Sequence, residues 1–166
     1  QRQMCIRDRN CMLTITTCED SLSKKLEPGA PPSSERFAAV RNLSAAGLFA
    51  GVVMTPVLPF LEDTKENVMG MVELAREAGA RFIYPMFGVT LRDRQREYFY
   101  SRLDRIFPDM GFRERYEKQY GERYICSSPK AGSLYRLLGE ECSKAGILYK
   151  MPDIICLLYT SDAADE

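Results

Sequence analysis

The run Leu48-Phe49-Ala50-Gly51-Val52-Val53-Met54-Thr55-Pro56-Val57-Leu58, closed by Pro59, decides the fold class. Its apolar character is continuous rather than alternating, the pattern of a strand buried on both faces, as in a parallel sheet. Pro56 and Pro59 mark where it stops pairing, since proline has no N–H to give to a ladder. Upstream, Pro31-Pro32-Ser33-Ser34 opens a helix predicted from about Glu35 to Ala46, with Phe37, Val40 and Leu43 on one face and Gly47 as its stop. A polar loop precedes it, and before that Met12 to Thr17 reads as a short β-branched strand.

Downstream the pattern repeats. Asp63 with Glu66 three residues on resembles a capping box. Val68, Met71, Val72 and Ala75 make the apolar stripe of a helix that Gly79 ends, and Arg81 to Val89 is the next strand. Gly47 and Gly79 stand about one βα unit of 30 residues apart. Strands alternating with helices at this spacing predict an α/β fold with a parallel sheet. Three strands are too few for a closed barrel, which takes about 250 residues, so the expectation is an incomplete parallel (βα) barrel over residues 10–91. After Leu91 the pattern is helical only. Helices are predicted over Asp93 to Phe107, Phe112 to Tyr120 and Pro129 to Ala145, giving an all-helical C-terminal extension over residues 92–155.

The two ends read differently from the middle. Codons that encode the opening Gln1-Arg2-Gln3-Met4-Cys5-Ile6-Arg7-Asp8 have a reverse complement that encodes Cys156-Leu157-Leu158-Tyr159-Thr160-Ser161-Asp162-Ala163. Two tails of one natural protein have no reason to be opposite strands of the same DNA. That DNA matches the transposon adapter of sequencing libraries, so residues 1–9 and 156–166 are expected to be adapter read through into frame.

With Cys5 and Cys156 set aside, Cys11, Cys18, Cys126 and Cys142 remain, and no two form a CxxC pair. No metal site can be read from such spacing. Scattered thiols suit a reducing, cytoplasmic setting better than a disulfide scaffold. A net charge of zero gives no bulk pull toward nucleic acid. No run of about 18 apolar residues predicts a membrane span.

Three longer signatures carry the reading toward function. The first is Thr14-Ile15-Thr16-Thr17, then Lys24-Lys25-Leu26-Glu27-Pro28-Gly29-Ala30-Pro31 and Glu35-Arg36. The second runs from Gly51 through Thr55-Pro56-Val57-Leu58-Pro59 to Glu62-Asp63. The third is Phe87-Gly88-Val89-Thr90-Leu91-Arg92-Asp93 with Arg94-Gln95-Arg96-Glu97-Tyr98-Phe99-Tyr100. In this order the chain resembles the C-terminal half of radical S-adenosylmethionine (SAM) proteins of the spore photoproduct lyase-like group. The resemblance implies strands four to six of a partial barrel and a 4Fe–4S cluster on a CxxxCxxC loop upstream of Asn10. It also implies SAM as cofactor, a flavodoxin or ferredoxin as electron donor, and hydrogen abstraction from a substrate such as a DNA lesion. Without the cluster loop the polypeptide as written should be inactive.

At the SAM-facing positions, the resemblance places Thr14 and Thr16 against the ribose or amino-acid part, and Arg36 against the carboxylate. A guanidinium suits that task because it can donate two parallel hydrogen bonds. Val53, Thr55 and Val57 fall where the family packs adenine, and Tyr84 and Met86 could line the same pocket. Glu27-Pro28 recurs in the family without a physical role evident from sequence.

Two other readings compete. A SAM-independent aldolase-type (βα) barrel lyase would want a strand-end lysine, and the three strands hold none. A nucleic-acid-binding domain could use Arg92, Arg94, Arg96, Arg102 and Arg105, interleaved with Tyr98, Phe99 and Tyr100. Asp93, Glu97 and Asp104 offset that charge, and the spacing equally fits an amphipathic helix with a solvated face.

Overall fold

The computed structural model describes residues 10–162. The expected adapter segment 1–9 and the last residues of the other, 163–166, lie outside the described residues. The elements are β1 (Asn10–Thr14), α1 (Asp20–Leu26), α2 (Ser33–Ala45), β2 (Phe49–Val57), α3 (Lys65–Glu77), β3 (Phe82–Thr90), α4 (Asp93–Ile106), α5 (Phe112–Tyr120), β4 (Ile125–Ser127), α6 (Ala131–Ala145) and α7 (Met151–Asp162).

The strands lie in the order β1-β2-β3-β4. β1, β2 and β3 are mutually parallel, as expected from the strand–helix alternation. The expectation of an incomplete parallel barrel is overturned. The sheet is open and mixed, because β4 runs antiparallel along β3, with Gly88 opposite Ser127 and Thr90 opposite Ile125. That antiparallel pairing, made after the chain has passed through α4 and α5, takes the C-terminal part of the β3 edge, where a further parallel strand would have to pair. The N-terminal part of the same edge is taken by Leu148, which bridges Phe82. The C-terminal part is therefore not all helical. At three residues, with only Cys126 buried between exposed neighbours, β4 is too short to leave a period in the sequence.

Register sets the two faces. Leu13, Val52 and Ile83 are neighbours across the sheet and point into the main core. There they join Phe37 and Val40 of α2, Val68, Met71 and Ala75 of α3, and Leu134, Leu138 and Cys142 of α6. Burying this set is the main driving force for the fold, at about 25 cal/mol per Å² of apolar surface. The opposite face carries Thr14, Val53 and Tyr84 in register, and Met12, Thr14, Tyr84 and Met86 are exposed on it. A second core joins α4, α5 and β4 through Tyr100, Leu103, Phe112, Tyr116, Tyr120 and Cys126. Tyr116 ties this core to the first: its hydroxyl donates to the Pro59 carbonyl at 2.9 Å, just past β2.

Local signals mostly landed within a residue or two. α3 starts one residue later than a cap at Asp63 would allow: Thr64 is its N-cap, accepting from the Asn67 N–H at 3.1 Å. Asp63 is thereby released for other work. The stretch read as a polar loop before Pro31 contains the short helix α1. Among the described residues no helix is long and apolar enough to cross a membrane.

Candidate functional site

In open parallel sheets, ligands bind beyond the carboxyl ends of the strands. A cleft of about 510 Å³ opens there. Thr16 follows β1, Pro56 and Leu58 end β2, and Thr90 ends β3; Glu27 and Pro28 close one side and α4 the other, with Gln95, Tyr98, Phe99 and Arg102. At its floor is Glu62, 1% exposed.

Glu62 is held from two strand ends. Thr16 Oγ1 donates to Oε1 at 2.6 Å, and the Leu58 N–H donates to Oε2 at 2.8 Å. Behind it, Asn67 Nδ2 donates to the Thr16 and Glu62 carbonyls, each at 2.9 Å, while its Oδ1 accepts from the Cys18 N–H at 2.9 Å. This one amide therefore fixes the relative position of β1 and the β2–α3 loop. Burial pushes the Glu62 carboxyl up to about 7; the hydrogen bonds from Thr16 and Leu58 oppose the rise, and Glu27 and Asp63 add to it. Asp63, also 1% exposed, accepts from the Phe60 N–H at 2.7 Å and from Ser128 Oγ at 2.5 Å, fastening the loop to the start of α6.

Of the residues picked from sequence, Thr16 lines the cleft and is 8% exposed. Thr14, Val53 and Met86 lie instead on the sheet face opposite the main core. Thr55 is half-buried in the irregular stretch where the β2–β3 register shifts between Met54 and Val57. Arg36 is committed to the fold. Its Nε donates to the Pro31 carbonyl at 2.7 Å, its Nη1 to the Thr14 carbonyl at 2.8 Å, and its Nη2 pairs with Glu27 at 2.6 Å. This pairing also supplies a role for Glu27-Pro28, the wall of the cleft.

The arginine row is divided in the same way. Arg96 is 5% exposed and donates to the carbonyls of Leu91, Gly121 and Arg123. Arg92 lies over the Tyr124 ring. Arg102 lines the cleft. Sequence reasoning missed Glu62, Asn67 and Ser128. The available signal was the acidic pair Glu62-Asp63 straight after a proline-framed apolar run, where solvated loop residues and buried ones look alike.

No protein-family profile matches the chain. It is similar to uncharacterized proteins of Mycobacterium tuberculosis (strains H37Rv and CDC 1551) and Mycobacterium bovis, at 31% identity over 108 residues. The match covers 64% of this chain and 32% of each relative, so the chain spans about a third of the length of the curated relatives it matches.

Proposed function

We propose that this chain is part of a radical SAM enzyme of the spore photoproduct lyase-like group, cytoplasmic and served by a flavodoxin- or ferredoxin-type donor. One observation carries the reading. The three signatures, far apart in sequence, supply one cleft: Thr16, Glu27 and Pro28 from the first, Pro56, Leu58 and Glu62 from the second, Thr90, Gln95, Tyr98 and Phe99 from the third. A resemblance confined to packing would have no reason to converge on a ligand-sized space at the strand ends.

The residues fit part of SAM. Thr16 at the cleft, with Thr14, Val53, Thr55 and Met86 on the adjoining sheet face, offers hydroxyls and apolar surface suited to a nucleoside. The carboxylate of SAM would compete with Glu27 for Arg36: Nε and Nη1 serve the Pro31 and Thr14 carbonyls, and Nη2, which makes no hydrogen bond, lies 2.6 Å from the Glu27 carboxylate. Among the described residues no group of His, Cys, Asp or Glu is arranged to hold a metal ion. The 4Fe–4S cluster therefore does not fit here, and its ligands are proposed upstream. Bound SAM supplies the hydrogen-abstracting chemistry; the role of this chain is to orient it and line the substrate side.

The test is to sequence the source DNA across the 5′ junction and translate upstream of Asn10. A CxxxCxxC loop within about 100 residues, roughly three βα units, is the expected result. A continuous upstream frame without it overturns the reading.

A further inference from the structure

Glu62 is a buried carboxyl with no cationic partner among the described residues. Each of its oxygens receives one hydrogen bond and keeps capacity for another. Among the described residues, no lysine or arginine forms an ion pair with Glu62 or Asp63. Buried charges are ordinarily paired, so this site lacks the partner that its ionised form needs.

Cations do stand nearby: Arg102 lines the cleft and Lys130 Nζ donates to the Asp63 carbonyl at 3.4 Å, but neither forms an ion pair with Glu62. The α1–α2 loop presents Glu27, which Arg36 already neutralises, and the β2–α3 loop presents Asp63. From α4 come Tyr98 and Arg102 on the cleft wall. From α5 comes Tyr116, whose hydroxyl burial pushes up and which stays neutral. Behind Glu62 a second cavity of about 180 Å³ is lined by Cys18, Glu19 and Glu66 among others, and holds no basic group. The rest of the cleft wall is mostly apolar, with Leu26, Leu58, Phe99, Leu103 and Ile106, and Thr16, Thr90 and Gln95 add uncharged polar groups.

We propose that the cleft binds an organic cation, an apolar or aromatic body bearing an amidinium or ammonium head that seats against Glu62. This takes from the reading above only that the cleft receives a ligand. On binding, the protonated Glu62 carboxyl releases its proton to solvent, and the resulting carboxylate pairs with the cationic head.

The test titrates the chain with benzamidine, neutral benzamide and anionic benzoate, followed by amide chemical shifts from pH 6 to pH 8. Benzamidine is expected to bind saturably at Thr16, Leu58 and Glu62, about tenfold more tightly at pH 8 than at pH 6, as ionisation near pH 7 requires. Benzamide should show no such slope, and Glu62→Gln should abolish it. The wild-type profile decides the matter even if the variant does not fold. A flat profile, no binding to the folded chain, or benzamide or benzoate binding as well as benzamidine overturns the proposal. Benzamidine binding without an upstream cysteine loop would discard the SAM reading and keep this one; the reverse pair of results would do the opposite.

Discussion

Thr16 and Glu62, 46 residues apart, share a buried 2.6 Å hydrogen bond that joins the end of β1 to the loop leaving β2. It brings one polar group from each of two parallel strand ends to the floor of the same cleft.

The first prediction concerns pH. The Glu62 carboxyl is raised from 4.5 to about 7 by burial, so the folded state holds its proton more tightly than the unfolded state does. Its stabilising effect is complete below about pH 4.5 and is lost as pH rises through 7. A shift of this size corresponds to roughly 3 kcal/mol. Urea unfolding at pH 5 and pH 8 should show the lower stability at pH 8, with Glu62→Gln flattening the difference. Equal midpoints in the wild type would refute the burial.

Asn67→Ala removes three hydrogen bonds at once and leaves the carbonyls of Thr16 and Glu62 and the N–H of Cys18 to find other partners. Buried unsatisfied groups cost about 1–3 kcal/mol each. A total loss of about 3 kcal/mol in chemical denaturation is expected, with exchange broadening at Thr16 and Glu62.

Arg96→Lys should loosen the second core. A single ammonium cannot reach the three carbonyls that the planar guanidinium serves, at Leu91, Gly121 and Arg123. The expected cost is about 2 kcal/mol. Hydrogen exchange should accelerate at residues 121–126 while β1 and β2 keep their protection.

Gly51→Ala would place a methyl 2.5 Å from the Phe82 ring, which is stacked on Phe49. Overpacking of this kind costs about 1–3 kcal/mol. A thermal melt shows the loss, and Phe82→Leu in the same chain should recover part of it.

Thiol labelling separates the cysteines. Cys142 is buried against the sheet, and burial pushes its thiol up to about 12. It should stay unmodified at pH 8 until the chain unfolds, while half-buried Cys11 reacts sooner. Peptide mapping after timed alkylation gives the order.

The alternation of strand and helix was legible in the residues themselves. The unbroken apolar run of β2, the stripe Val68-Met71-Val72-Ala75 and the stops at Gly47 and Gly79 are local patterns, and a chain writes local periodicity directly into its sequence. Thr16 was picked through the family resemblance, inside a strand expected to run to Thr17, whereas β1 ends at Thr14 and leaves Thr16 beyond the strand end, on the cleft. Other features were decided only in three dimensions. β4 exists because Val89 and its neighbours offer an edge to three residues with no pattern of their own. Arg36 and Arg96 look like ligand-binding cations in sequence, yet distant carbonyls claim them. Glu62 reads as a loop carboxylate until β1 arrives 46 residues away to bury it. Long-range contacts carry no period, so only the folded chain decides which polar residues are buried and which remain free to act.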